Sequence, residues 1–146
     1  MSQQVKVYRQ LDLRDNARIT TNKDMIIIDD EVVSKRTQTA VTNTATITAA
    51  QLITGVLDGT PTAGATYTLP TAALLVAGIH NVQVGSSFFF AVNNKAGDAY
   101  TITVAAGSGG TADGTLTVSQ NVIRLFLVII TNVTSSSEAY FVYGIG

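Results

Sequence analysis

The sequence is 146 residues long, has a formal net charge of −1 and contains no cysteine. That length suits one domain with an appendage. The charge balance offers no basic footprint for nucleic acid or an acidic membrane surface, and without thiols there can be no disulfide, thiolate metal site or Cys nucleophile. No apolar core follows Met1–Lys6, so a secretion leader is not expected.

The charges are unevenly placed. Through Arg36 there are Lys6, Arg9, Arg14, Arg18, Lys23, Lys35 and Arg36, with Asp12, Asp15, Asp24, Asp29, Asp30 and Glu31. Beyond Thr37 only Asp58, Lys95, Asp98, Asp113, Arg124 and Glu138 remain. A surface built from Thr, Ser, Ala and Gly with so few charges is unusual for a free monomer and suits a protein covered by other subunits. The expected division is a charged N-terminal arm over 1–36 and a domain over 37–146.

Within the arm, Val5–Leu13 alternates, with Val5, Val7, Leu11 and Leu13 on one side and Tyr8 on the other, which predicts an extended strand. A turn at Arg14–Asn16, a short strand over 17–21 and a second turn at Asn22–Asp24 lead to an apolar strand containing Ile26 and Ile28. The segment is too apolar for a plain disordered tail and too short to build a core. Its expected role is strand addition to a partner, with Val5, Val7, Tyr8, Leu11, Leu13, Ile26 and Ile28 as the partner-binding residues.

Residues 37–48 alternate and are rich in Thr, as an edge strand would be. A helical turn capped by Thr48 is expected over 49–54 and ended by Gly55, followed by a turn at Asp58–Pro61 and a strand over Ala65–Leu69. Pro70–Gly78 has a helical start, an Ala/Leu interior and a terminal Gly, so a short helix is predicted over Thr71–Ala77. Phe88–Val92 reads as a core strand, Asn93–Asp98 as a hairpin turn, and Tyr100–Ala105 as its alternating return. The stretch 106–114 holds four glycines and reads as a mobile connection.

The strongest signal is the run Val122–Ile130, broken only by Arg124. On a strand, Ile123, Leu125, Leu127 and Ile129 line one face, and Val122, Phe126, Val128 and Ile130 the other. Both faces then need covering, by a second sheet or by a neighbouring subunit. The run is too short to cross a membrane as a helix. Arg124, Phe126, Val128 and Ile130 are therefore assigned to the core or oligomer contact, and Arg124 should meet Asp98, Asp113 or Glu138, or several carbonyls. Ala139–Tyr143 alternates and should complete a final hairpin. Short alternating strands between Gly, Asn and Asp turns predict an all-β domain of β-sandwich or jelly-roll type, with one or two short helices, behind an extended arm.

From residue 46 onward, the ordered segments TITAAQLITG (46–55), YTLPTAALL (67–75), VGSSFFFAVNN (84–94) and YTITVAAG (100–107), with the terminal apolar strand pair, are similar to a β-domain of virion proteins from tailed phages and large double-stranded DNA viruses. The resemblance covers roughly the last 100 residues. It implies a capsid decoration, cement or minor capsid protein on the virion surface, made in the host cytoplasm and often a homotrimer. The alternative it implies is a head or tail fibre or spike tip, for which residues 93–98 and 106–114 would contact a host glycan. The arm lies outside the match, so its docking on the major capsid protein is expected from composition alone.

Catalytic chemistry is not expected. His80 is the single histidine, which excludes a multi-His metal site within one chain, and its place in a loop after a helix end makes a Ser-His-Asp triad not expected. Asp29-Asp30-Glu31 lacks the spacing of a calcium loop and reads as a solvated turn. The glycines of 106–114 lack the Lys-Ser/Thr ending of a phosphate-binding loop. The tyrosines suit core or interface positions better than a sugar platform. No cofactor and no metal are expected, and neither nucleic acid nor membrane is an expected partner.

Overall fold

The computed structural model describes residues 36–146, which belong to a unit running Ser34–Gly146. The described residues are mainly β. In order they form β1 (Thr37–Val41), β2 (Ala45–Thr46), α1 (Ala49–Ile53), β3 (Gly55–Gly59), β4 (Ala65–Thr68), α2 (Ala72–Gly78), β5 (Ser87–Asn94) and β6 (Ile102–Ala105). Strands β7 (Gly110–Gly114), β8 (Thr117–Val118), β9 (Ile123–Asn132) and β10 (Ala139–Ile145) complete the chain.

The strands make a six-stranded sheet in the order β1-β3-β5-β9-β10-β7 and a four-stranded sheet in the order β2-β4-β6-β8. Through β6 the chain alternates between the sheets, so that β1, β3 and β5 lie parallel in one and β2, β4 and β6 lie parallel in the other. Strand β9 then pairs antiparallel with both β5 and β10, and β7 joins parallel to β10 at the far edge. The final hairpin matches the sequence expectation. The hairpin expected around 93–98 does not form, because β5 and β6 belong to different sheets. Short parallel strands in two layers have the same alternating pattern as a meander, and only pairing tells the two apart.

Inward-facing side chains from both sheets form one core: Leu57, Phe90, Val92, Phe126, Val128, Ile130 and Val142 from the larger, Tyr67, Ile102, Val104 and Val118 from the smaller. Phe90 and Phe126 face each other across the β5/β9 ladder with ring centroids 5.0 Å apart. The helices form where expected. Thr48 caps α1 in a reciprocal capping box with Gln51, and Thr71 accepts from the Leu74 N–H to cap α2. Leu52 and Leu75 carry the helices into the core.

Three buried polar groups tie one layer to the other. The Tyr67 hydroxyl on β4 donates to the Val41 carbonyl on β1, at 2.7 Å. The Tyr140 hydroxyl on β10 donates to the Pro70 carbonyl at 3.0 Å and accepts from the Gly107 N–H at 2.9 Å. The Asn94 amide, fully buried, donates to the Tyr100 and Val118 carbonyls and accepts from the Ala96 N–H. Every polar atom of that side chain is satisfied, which is what burial of an amide requires.

Three further stretches depart from the sequence expectation. Residues 37–48, expected as one edge strand, break after Val41 into β1 and β2, which lie at edges of different sheets. Asp58 and Gly59, expected in a turn, end strand β3, whose short Gly-bounded sequence carries little strand signal. The glycine-rich stretch expected to be mobile contains strand β7, and its glycines are sites of close packing. At Gly110 a Cβ would fall within the Tyr140 ring. At Gly109, with φ of +79°, it would lie 2.7 Å from the Ala72 Cβ and 2.8 Å from the Glu138 carbonyl. Small residues there let one backbone approach another, a role that composition cannot distinguish from flexibility.

Two expectations follow from this packing. Gly110→Ala should destabilise the domain by about 2 kcal/mol through overpacking against Tyr140, measured by denaturant unfolding. Burial pushes the Tyr67 phenol up to about 12, and burial also raises Tyr140 against the opposing Gly107 hydrogen bond. Both folded values lie above the ordinary value near 10, so the stabilisation from each neutral phenol is fully present below about pH 10 and is lost as pH rises through the folded value, which for Tyr67 is about 12. Tyr67→Phe should flatten that alkaline loss, at a cost of about 2 kcal/mol at neutral pH for the Val41 carbonyl left unpaired.

Candidate interaction surface

The alternation of β9 places Phe126, Val128 and Ile130 in the core, each fully buried, and leaves Ile123, Leu125, Leu127 and Ile129 on the opposite face. Cross-strand register extends that outer face. Ile129 lies beside Phe141, Leu127 beside Phe89 and Tyr143, and Leu125 beside Ala91 and Ile145. Val56 of β3 continues it next to Ala91. Ile123 is 67% exposed, and Phe89, Leu125 and Ile145 are each more than two-fifths exposed. Phe141 and Tyr143 stack with centroids 5.8 Å apart.

The smaller sheet turns a different face outward. Thr46, Thr66, Thr68, Thr103 and Thr117 occupy its outward positions, alternating with buried Ala65, Tyr67, Ile102, Val104 and Val118. Threonine is β-branched and hydrogen-bonds with water, so this face is both strand-forming and soluble. The larger sheet has an apolar pattern on both sides.

Charge borders the apolar face without entering its centre. The Arg36 guanidinium donates to the Phe89 carbonyl at 2.8 Å and lines a shallow hollow of about 170 Å³ with Gly55, Val56, Ala91 and Leu125. Asp113 sits at the far end of the row Phe89–Leu127–Tyr143. Asp58 pairs with Lys95 at 2.8 Å and accepts from the Asn93 amide at 2.9 Å. The Lys95 hydrogen bond is the main cause holding the Asp58 carboxyl below its usual range.

Among the residues singled out from sequence, Val5, Val7, Tyr8, Leu11, Leu13, Ile26, Ile28 and the Asp29–Glu31 turn lie outside the described residues. Arg124 is half-buried on the inward side, and its Nη1 donates to the Thr115 carbonyl at 3.1 Å. Among the described residues it forms no ion pair with Asp98, Asp113 or Glu138, and its Nε is buried without an acceptor. A single carbonyl at the rim of the core takes the place of the expected carboxylate. His80 is exposed in the turn after α2. Of the stretches assigned to glycan contact, Asn94 and Ala96 are buried, and most of 106–114 is occupied by β7 and its packed glycines.

A second cleft, of about 380 Å³, opens between the starts of α1 and α2 and is lined by Ile47, Leu69, Pro70 and Leu74 with threonines around it. No titratable side chain lines it. Among the described residues no group of three or more His, Cys, Asp or Glu is placed to hold a metal ion, and no helix is long and apolar enough to cross a membrane. The surface that stands out is thus apolar and suited to binding.

The Asp58 pair has a defined pH signature. Its folded value is depressed, so its stabilisation is present above the ordinary carboxylate value and is lost as pH falls through the folded one. Lys95→Ala should move the Asp58 titration, followed by NMR of its carboxyl carbon, upward towards the ordinary carboxylate range. The cost at neutral pH should be under about 1 kcal/mol, because Lys95 is half-exposed and solvent screens the pair.

Comparison of the chain with protein-family models, with curated proteins and with solved structures finds no match.

Proposed function

We propose that this chain is a virion structural protein: a capsid decoration, cement or minor capsid protein. Its 1–36 arm binds the major capsid protein, and its β-domain, read as a two-sheet sandwich, assembles as a homotrimer. The observation that carries this reading is the segregation of charge, with thirteen of nineteen charged residues before Thr37 and a domain surface of Thr, Ala, Gly and apolar residues after it. Such a surface resists solvent alone poorly and suits permanent contact with other subunits.

The mechanism is burial rather than turnover. Apolar surface removed from water contributes roughly 25 cal/mol per Å², and extended arm segments add main-chain hydrogen bonds to a partner's sheet edge. Among the described residues, His80 lies in an exposed turn with no hydrogen-bond or ion-pair partner, and the Asp58 carboxylate is engaged by Lys95 and Asn93, so neither forms part of a nucleophile–base arrangement there. We therefore assign no enzymatic activity.

Removal of residues 1–35 tests the arm and retains Arg36, which holds the Phe89 carbonyl. The truncated protein should stay folded and soluble, while only the full chain co-sediments with capsids assembled without it. Equal sedimentation of both forms would show that the arm is not the anchor.

A further inference from the structure

We propose that the outward face of the larger sheet, centred on Phe89, Leu125, Leu127 and Tyr143, is the contact by which one copy of this chain binds another, sheet face against sheet face. This rests on the self-association proposed above but gives it a different form, because two like faces meeting make an isologous contact that closes as a pair and not as a trimer. It stands on the sheet's geometry, without reference to a capsid.

The domain carries its own control. Two sheets built from the same chain face outward, and one presents Thr46, Thr66, Thr68, Thr103 and Thr117 while the other presents Phe, Leu, Ile and Tyr. Outward positions that meet water are filled with threonine, so apolar residues at the equivalent positions of the larger sheet mark a surface that does not stay in water.

Size, rim and charge identify the occupant. Six strands about 4.8 Å apart, and about seven residues long at 3.3 Å each, give a face of roughly 550 Å² in plan. Two such faces together remove about 1,100 Å² from water before side-chain relief is counted, close to the lower bound for a specific protein interface. Gln38, Thr111 and Asp113 on the outer strands surround the apolar centre, the arrangement of an interface core with a polar rim. Two like faces can meet without like-charge repulsion, because Asp58 is paired with Lys95, and Arg36 and Asp113 lie at opposite ends of one cross-strand row. Strands β5 and β9 are hydrogen-bonded on both edges, so the partner must approach through side chains. Sheets in such contact stack about 10 Å apart with their side chains interdigitated.

The test is the native mass of the full chain by light scattering across a dilution series, with face variants and a control. The unmodified chain should have twice the 15.3 kDa mass of one copy. Leu125→Glu should shift it to 15.3 kDa with the β circular-dichroism signal retained, whereas Thr103→Glu on the other sheet should leave it unchanged. Ile123→Lys, at a position two-thirds exposed, serves if Leu125→Glu does not fold. A readout without substitutions is the access of a soluble paramagnetic probe to the Leu125, Leu127 and Ile129 methyl groups. Protection at high concentration and exposure on dilution supports the contact. A monomer at all concentrations, an oligomer that survives both face variants, or methyl groups open to the probe throughout would overturn it. Because no capsid enters this experiment, loss of capsid binding by the arm truncation and loss of self-association are separate results.

Discussion

The pairing of β9 with β5 on one edge and β10 on the other fixes the domain around a single ladder, with Phe126 stacked on Phe90 at its centre. A strand in that position must bury at least one face, and here the inward one closes against the smaller sheet. The domain has two layers, however, and β9 is apolar on both sides. Nothing in the described residues supplies a third layer over Ile123, Leu125 and their neighbours. The exposed apolar face therefore follows directly from placing an all-apolar strand in the middle of the wider sheet.

Polar groups decide how the two layers meet. Apolar burial is non-directional and would tolerate sliding of one sheet over the other. The hydroxyls of Tyr67 and Tyr140 and the amide of Asn94 reach from one layer to backbone groups on or beside the other, and each must be matched once buried. The glycines of 107–110 complete the fit by letting the β6–β7 connection pass against Pro70, Ala72 and Tyr140. Flexibility expected from composition is here replaced by tight contact.

The two outward faces divide labour in a way that bears on function. A threonine face can remain in water indefinitely, while a face of Phe, Leu, Ile and Tyr favours association. With most charges confined to 1–36, the domain has little electrostatic means of choosing partners, and shape and apolar area are left to do it. The structural role proposed above draws on that combination.

Much of this was legible in the residues themselves. The alternation of Val122–Ile130, the final hairpin, the Thr48 cap, the short helix after Pro70 and the core positions of Phe90 and Phe126 follow from local periodicity and capping chemistry, which depend only on neighbours in the chain. The charge boundary near Thr37 is likewise a property of the sequence. Pairing is not, because a strand's pattern is the same whether its partner lies parallel or antiparallel, in its own sheet or the opposite one. Tertiary structure alone decided that β5 and β6 separate into different layers, that Gly110–Gly114 is a strand held by Tyr140, and that Arg124 meets the Thr115 carbonyl. It also decided which face of β9 is sealed and which is left outward. The physical reason is that side-chain alternation is local, whereas the choice of what covers each face depends on contacts between residues far apart in the chain.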